Sequence, residues 1–304
     1  MKRDTLDRRR LGLALTRLAN ADASSSVAVM ASASAEMPTT GRLARRIGVT
    51  GPPGAGKSTL VGRLALHRAR VGRVGVLAID PSSPKSGGAI LGDRIRMDEL
   101  EGAEDLYIRS IGSRTAADGL SDNLPDMLDV MDAFGFDEVL LETVGVGQVE
   151  HAARQQVDTL VLVMQPDSGD AVQAMKAGIM EVADIVVVNK SDLAGAQRMA
   201  ADVKRVASLA NYPAGAWIAP VLLASHGQPA SIVELSQQID RHQSWLAGAG
   251  GIDAVRLARA RYRLRRLVER RVALVIERED DGFFERSLAE QFDRTLASVR
   301  KLSG

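Results

Sequence analysis

Apolar residues along most of the chain follow two alternating patterns. Short runs of branched apolar residues, such as residues 185–188, are typical of buried parallel strands, and the longer stretches between such runs have the periodicity of helices. Strands are predicted near residues 45–50, 73–79, 105–109, 137–142, 158–165, 184–189 and 218–224. Helices are predicted near residues 57–70, 91–101, 121–134, 169–182, 195–210 and 229–245. This alternation predicts an α/β fold, with a mainly parallel sheet and helices on both of its faces.

Both ends of the chain show helical patterns outside this alternation. Leucines among arginines predict a short amphipathic helix over residues 5–19, followed by an Ala- and Ser-rich connector or weak helix up to residue 41. Two further helices are predicted after the glycines near residue 250, from Leu257, Leu264, Leu267 and Leu274 and then from Phe284, Leu288, Phe292, Leu296 and Val299. We therefore divide the chain into an N-terminal helical extension (1–41), a main domain (42–247) and a C-terminal helical arm (248–304).

The composition is that of a globular protein. The chain has 304 residues, of which 45% are hydrophobic and 25% are charged, and no apolar run is long enough for a transmembrane helix. The absence of cysteine excludes disulfides, thiolate metal sites and thiol catalysis. The N-terminal arginines precede no apolar signal-peptide core, so we expect a cytoplasmic protein without a membrane partner.

Charge and histidine content point to no partner by themselves. A net charge of +1 argues against a chain built mainly to coat nucleic acid. The arginine-rich stretch 256–271 is either a nucleic-acid face or a solvated helix surface, and the second is favoured because no series of aromatic residues interleaves with the arginines for base stacking. The four histidines show no metal-ligand spacing and are expected to be surface or packing residues.

Residues 51–58, Gly-Pro-Pro-Gly-Ala-Gly-Lys-Ser, fill every fixed position of the G-x-x-x-x-G-K-[ST] phosphate loop. A predicted strand before the motif and a helix after it supply the expected context, which a chance glycine-rich turn would lack. Backbone N–H groups at the helix start would cradle phosphates, with Lys57 neutralising the β- and γ-phosphates and the Ser58 hydroxyl holding Mg²⁺. The predicted phosphate-binding residues are Gly51, Gly54, Ala55, Gly56, Lys57, Ser58 and Thr59. The loop predicts a nucleoside triphosphate site.

Residues 189–192, Asn-Lys-Ser-Asp, directly follow an apolar strand and form an N-K-x-D box. The Asp192 carboxylate can accept hydrogen bonds from the ring N1–H and the exocyclic amine of guanine, a pair of donors that adenine lacks. Ser225 follows the next predicted strand, where a further loop that contacts the base is expected. The guanine-binding candidates are therefore Asn189, Lys190, Asp192 and Ser225.

Acidic residues end two other predicted strands. Glu142 ends one of them and precedes Gly145, whose N–H could sense the γ-phosphate, while Asp80 ends a strand beside the phosphate loop. Asp80 and Asp93 are each either a metal ligand or a helix N-cap, and Glu142 could instead be a solvated strand end. Because Mg²⁺ takes hard oxygen ligands, the predicted metal set is Ser58, Asp80, Asp93 and Glu142. The catalytic candidates are Lys57, Glu142 and Asp80.

These elements, in this order, resemble the MeaB/ArgK family of GTPases, which includes the human methylmalonic aciduria type A protein. The resemblance rests on residues 49–60, 78–97, 107–114, 142–150 and 183–193, and it spans about residues 42–245. It implies a P-loop G domain that acts as a GTPase chaperone of an adenosylcobalamin-dependent acyl-CoA mutase, usually methylmalonyl-CoA mutase. Slow, partner-stimulated GTP hydrolysis would gate cofactor loading and reactivation.

The resemblance also implies Mg²⁺ with GTP or GDP as ligand, no direct binding of cobalamin, a homodimer held by the C-terminal arm, and contact with a cobalamin adenosyltransferase through the mutase. The residues that it implies for coupling to the partner are Gln148, Asp170 and Lys176. The segments 115–119 and 170–177 depart from the usual family sequence. A mutase for isobutyryl-CoA or 2-hydroxyisobutyryl-CoA is therefore an alternative partner.

Other classes of nucleotide-binding protein fit the residues less well. A metal-insertion GTPase needs Cys or His ligands near its switch, and this chain has no Cys and no His pair. A signal-recognition-type GTPase would carry a D-T-A-G-R switch, and a small-molecule kinase would lack the guanine box. A non-catalytic nucleotide-binding scaffold is the non-enzyme alternative, which a measurement of GTP turnover distinguishes.

Overall fold

The computed structural model describes residues 5–20, 43–80, 103–112, 123–143, 148–166, 182–208, 212–248 and 251–301. The strands are β1 (Arg45–Thr50), β2 (Val74–Asp80), β3 (Leu106–Gly112), β4 (Glu138–Glu142), β5 (Thr159–Met164), β6 (Ile185–Val188) and β7 (Val221–Leu223). The helices are α1 (Arg8–Asn20), α2 (Lys57–Arg68), α3 (Leu124–Ala133), α4 (Gln148–Arg154), α5 (Ala196–Ser208), α6 (Pro229–Gly248), α7 (Gly251–Glu277), α8 (Asp281–Phe284) and α9 (Leu288–Lys301). The helices predicted near 91–101 and 169–182 lie almost wholly outside the described residues.

The strands form one seven-stranded sheet in the order β3-β2-β4-β1-β5-β6-β7. All of its pairings are parallel, which confirms the predicted fold class. Every residue of β4, β5 and β6 is buried, as expected for strands that are covered on both faces. Because the strands are parallel, their carboxyl ends meet at one edge of the sheet, where ligands bind in folds of this type.

Helices cover both faces of the sheet. On one face α2 and α6 pack on alternate residues of the central strands, and their buried residues include Leu60, Leu64, Leu235 and Ile239. On the other face α1, α3 and α4 pack on the remaining alternate residues, and their buried residues include Leu11, Leu15, Met127 and Ala153. The central strands are therefore held from two sides, which fixes the position of the loops at their ends.

The predicted N-terminal helix is present as α1 and is fastened to the edge strand β3. Arg109 of β3 donates from Nη1 to the Gly12 carbonyl at 3.0 Å and from Nη2 to Thr16 Oγ1 at 2.9 Å. Arg8 in turn donates to the carbonyl of Leu106, at 2.8 Å. Since edge strands expose unpaired backbone groups, α1 also protects this side of the sheet.

The expectation that residues 256–271 form a solvated basic surface is wrong for part of the stretch. Arg259 of α7 is 8% exposed and forms an ion pair with buried Asp158 at 3.2 Å. Arg263 pairs with Asp126 of α3 at 3.1 Å and also with Asp129. The physical reason is that α3 carries aspartates three residues apart, which share one helix face and neutralise the arginines that α7 presents.

Burial has shifted the acidity of groups in this contact. Burial raises the pKa of Asp126 and of Asp132, although the arginines nearby oppose the shift. Burial also lowers the pKa of Arg259, and Asp158 opposes that change. The charges that fasten α7 to the main domain are therefore held in a poorly solvated environment. Within the described ranges, no helix is long and apolar enough to cross a membrane.

Helix α6 ends at Gly248, where the sequence predicts the C-terminal arm to begin, and α7 starts at Gly251. The division of the chain at residues 41 and 247 stays a prediction, because α7 is fastened to the main domain by the ion pairs just described.

Candidate nucleotide-binding site

The phosphate loop connects β1 to α2 at the carboxyl edge of the sheet. Its glycines have positive φ angles, of 141° at Gly51, 79° at Gly54 and 83° at Gly56. A Cβ at Gly51 would overlap the carbonyl oxygen of Val163, and a Cβ at Gly56 would overlap Asn189 Nδ2. Two of the fixed glycines are therefore required both by backbone conformation and by space.

Lys57 and Ser58 begin α2, directly after the loop. Lys57 is buried, and its Nζ donates to the Pro52 carbonyl at 2.7 Å, so the ammonium group lies against the loop itself. Ala55 is buried within the loop, whereas Thr59 is exposed at the start of the helix. The N-terminus of α2 and a buried ammonium group thus provide positive charge at the same place, which suits an anionic ligand.

Ser58 and Glu142 form the oxygen-rich part of the site. Ser58 Oγ donates to Glu142 Oε1 at 2.5 Å, and both side chains are buried. The contact exists because β1 pairs with β4, which brings Glu142 beside Val49 and next to the phosphate loop. Thr143 continues this arrangement, since its Oγ1 donates to Thr50 Oγ1 at 3.0 Å. A hydroxyl and a carboxylate this close fit Mg²⁺, a hard cation that needs only one or two protein carboxylates.

No group of three or more His, Cys, Asp or Glu side chains that could hold a metal ion occurs among the residues that the structure describes. Asp80 is the last residue of β2, so its backbone lies at the same edge of the sheet, but its side chain is outside the described part. Asp93 and Gly145 also lie outside it.

The guanine box follows β6 and contacts the phosphate loop directly. Asn189 Nδ2 donates to the Ala55 carbonyl at 2.8 Å, and the Asn189 backbone N–H donates to the Met164 carbonyl at 2.8 Å. Ser191 N–H donates to the Ala224 carbonyl at 2.9 Å, which ties the box to the loop after β7. The structure therefore brings the predicted phosphate and guanine motifs together, although they are more than 130 residues apart.

The outer residues of the box differ in exposure. Asp192 is exposed at the surface of the protein, whereas Ser225 is buried and its Oγ accepts a hydrogen bond from the Gly227 N–H at 3.2 Å. The two candidates lie on neighbouring loops, because β6 pairs with β7. A base that enters between these loops would meet the carboxylate from one side and the serine loop from the other.

The residues proposed for coupling to a partner are not brought to the site by described structure. Asp170 and Lys176 lie outside the described residues, and Gln148 is the first residue of α4 with its side chain outside the description. Their roles stay predictions.

Two residues at this edge were missed by the sequence analysis. Gln165 directly follows β5, and its Oε1 accepts a hydrogen bond from Lys190 Nζ at 2.6 Å. Arg63 of α2 donates to the carbonyl of His226, next to Ser225. A polar residue directly after the apolar run 160–164 was a usable signal for Gln165. Nothing in the sequence indicates the contact of Arg63, which depends on how α2 lies against the loop after β7.

Comparison with known proteins agrees with this geometry. The family model described as "Methylmalonyl Co-A mutase-associated GTPase MeaB" matches residues 11–280. A Pyrococcus horikoshii protein that is named as a GTPase is 39% identical over 247 residues, which cover 79% of this chain and 76% of the relative. The GTPase ArgK of Escherichia coli is 34% identical over 270 residues, which cover 85% of this chain and 81% of the relative.

A mouse relative and a solved structure extend the comparison. The mitochondrial methylmalonic aciduria type A homolog of Mus musculus is 36% identical over 217 residues, which cover 69% of this chain and 52% of that protein. The crystal structure of a protein named LAO/AO transport system kinase superposes with a TM-score of 0.70 at 27% identity, covering 98% of this chain and 93% of that one. With a nucleotide site of this design and matches over most of its length, the chain belongs to the MeaB family of methylmalonyl-CoA mutase-associated GTPases and is a GTP hydrolase.

Proposed function

We propose that this protein is a Mg²⁺-dependent GTPase that acts as a chaperone of an adenosylcobalamin-dependent acyl-CoA mutase. Methylmalonyl-CoA mutase or a close relative is the proposed partner, and GTP binding and hydrolysis would gate the loading and reactivation of its cofactor. The observation that carries the nucleotide part is the contact between Asn189 and Ala55, which joins guanine box and phosphate loop into one site. The mutase part is supported by the family description.

In the proposed reaction, the backbone of residues 51–59 holds the phosphates of GTP and Lys57 neutralises the charge that develops on the β- and γ-phosphates. Ser58 and Glu142 would hold Mg²⁺, with Asp80 and Asp93 as further ligands, and the ion would supply additional neutralisation of the phosphate charge. The contact between Ser58 and Glu142 supports this assignment, because both oxygen atoms can reach one small cation. Gly145 would report the γ-phosphate through its N–H.

Selectivity for guanine would come from Asp192, Asn189, Lys190 and Ser225. The hydrogen bond from Asn189 to the phosphate loop supports this role, because base and phosphates must be placed relative to each other. Adenine offers neither of the two donors that guanine presents to Asp192, and a bound adenine would cover the carboxylate without pairing it, which is costly.

The partner would act through Gln148 and through residues 165–180, which contain Asp170 and Lys176. Intrinsic hydrolysis would be slow and would rise when the mutase binds, since linkage requires nucleotide and partner to bias the same conformational equilibrium. A mutase for isobutyryl-CoA or 2-hydroxyisobutyryl-CoA is the alternative partner. We further propose that cobalamin binds the mutase and not this chain, and that the adenosyltransferase is met through the mutase.

The C-terminal arm is proposed to hold a homodimer. The face of α7 opposite its docked arginines exposes Leu257 and Leu264, the latter to 63%. In α9, Leu288 and Phe292 are 80% and 62% exposed. Exposed large apolar side chains clustered on one arm are characteristic of protein interfaces, and a second copy of the arm offers the same apolar side chains.

The test is single-turnover GTP hydrolysis by the full-length protein with and without each candidate mutase. We expect slow hydrolysis alone and acceleration by one mutase. Hydrolysis that no mutase accelerates would overturn the chaperone role, and GTP binding without turnover under any condition would favour the scaffold alternative.

A further inference from the structure

Gln165 lies between the two motifs of the nucleotide site. It directly follows β5, and β5 pairs on one side with β1, which leads into the phosphate loop, and on the other side with β6, which leads into the guanine box. A long polar side chain at this point of the sheet edge can reach both loops. The structure shows a hydrogen bond with the guanine box and places the amide nitrogen near Gly54 of the phosphate loop.

The first contact is with the guanine box. Lys190 Nζ donates to Gln165 Oε1 at 2.6 Å, a short hydrogen bond with a charged donor. Lys190 has a φ of 55° and is the one non-glycine residue with positive φ in the described part of the chain. A left-handed backbone is disfavoured for a residue with a Cβ, so the surrounding contacts must hold this residue in place. The hydrogen bonds from Asn189 N–H and Ser191 N–H hold the backbone on either side, and Gln165 holds the end of the side chain.

The second observation is the position of the amide group beside the phosphate loop. A Cβ at Gly54 would lie 3.8 Å from Gln165 Nε2, at ordinary van der Waals distance, so the amide group sits between the Lys190 ammonium and the loop. A primary amide suits this position, because it accepts from the ammonium with its oxygen while its nitrogen still carries donors. A glutamate would keep the acceptor for Lys190, and a methionine would keep only the length of the side chain.

We infer that Gln165 is a positioning residue for nucleotide binding: it fixes the Lys190 side chain before the base arrives, from a position beside the phosphate loop. The inference rests on the proposed guanine site. A lysine side chain loses considerable rotamer freedom when it is ordered, and a residue that orders it in advance reduces that loss at the moment of binding. Without this contact the Lys190 side chain would be less ordered, and bound nucleotide would dissociate faster.

The test is the dissociation rate of a fluorescent GDP analogue (N-methylanthraniloyl-GDP) from the full-length protein and its variants. We expect Gln165→Met to raise the rate about tenfold, the scale of one charge-assisted hydrogen bond. Gln165→Glu should keep the rate near that of the wild type, because its carboxylate still accepts from Lys190. Gln237→Met, the same change at an exposed position of α6, is the matched control and should leave the rate unchanged.

Lys190→Met probes the same contact from the other side without a new apolar group at position 165. It should also raise the rate, and the Gln165→Met/Lys190→Met double variant should release nucleotide no faster than the faster single variant. A rate within twofold of wild type for Gln165→Met would overturn the inference, as would a Glu variant that releases nucleotide as fast as the Met variant, or single effects that multiply. If the wild type itself fails to bind the GDP analogue, the proposed guanine site is wrong instead.

Discussion

The attachment of α7 to the main domain allows a sharp comparison of two arginines on one helix. Arg259 is 8% exposed and pairs with buried Asp158, whereas the Arg265 side chain is 66% exposed and pairs with Glu269 one helical turn away. Replacing either residue by methionine keeps helix propensity and side-chain length similar. The difference in stability between the two variants therefore reports the environment of each charge and not a change in helix propensity.

The size of the expected loss in unfolding free energy follows from the distance between the two charges and from their burial. At 3.2 Å the attraction between Arg259 and Asp158 is about 5 kcal/mol at an effective dielectric constant of about 20, and the cost of removing both charges from water offsets part of it. Removing Arg259 leaves the Asp158 carboxylate buried, although its other oxygen still accepts from the Arg46 N–H. We expect Arg259→Met to lower the free energy of unfolding by about 3 kcal/mol. For Arg265→Met we expect less than about 0.5 kcal/mol, because exposed pairs are screened by water.

Urea unfolding of both variants, without nucleotide and at one fixed protein concentration, measures this difference. The fixed concentration is needed because self-association would add to the apparent stability. Equal losses for the two variants would show that α7 does not dock through a buried ion pair, and that the arginine-rich stretch is solvated along its whole length.

Three further predictions follow from other described contacts. Gly56→Ala should weaken GDP binding at least about tenfold in isothermal titration, because a left-handed alanine is strained and its Cβ would displace Asn189. The control is Gly215→Ala, which has a similar φ and open space around it and should bind GDP normally. Because burial raises the pKa of Asp126, lowering the pH from neutral towards that raised value should stabilise the wild type relative to Asp126→Asn in urea unfolding, and the opposite sign would refute the assignment. Light scattering should show that Phe292→Glu is monomeric and that Leu13→Glu, on α1, remains dimeric; a monomeric wild type would contradict the proposed interface.

The sequence was sufficient where structure depends on consecutive residues. The apolar runs gave every strand of the described sheet, with small errors in length such as β7, which is predicted near 218–224 and spans Val221–Leu223. The phosphate loop and the guanine box were also readable, because each is a short segment at the end of a strand. The parallel sheet then accounts for their meeting at one edge.

Sequence reasoning failed where a contact joins distant residues. Arg259 finds its partner about a hundred residues upstream, and nothing near it in the chain distinguishes it from the exposed Arg265. The aspartates at 126, 129 and 132 share one helix face, which the sequence spacing already indicates. The sequence does not indicate that α7 packs against that face. The pairing of Gln165 with Lys190 likewise depends on β5 and β6 being neighbours.

The most direct test of the central claim, that this site selects guanine nucleotides through the box fastened to the phosphate loop, is titration of wild type and Asp192→Asn with GDP, ADP and xanthosine diphosphate. We predict that the wild type binds GDP at least about a thousandfold more tightly than ADP. Asp192→Asn should lose GDP affinity and gain affinity for xanthosine diphosphate, because the asparagine amide can donate to the carbonyl that replaces the guanine amine. Equal binding of GDP and ADP by the wild type, or unchanged GDP binding in Asp192→Asn, would contradict the claim.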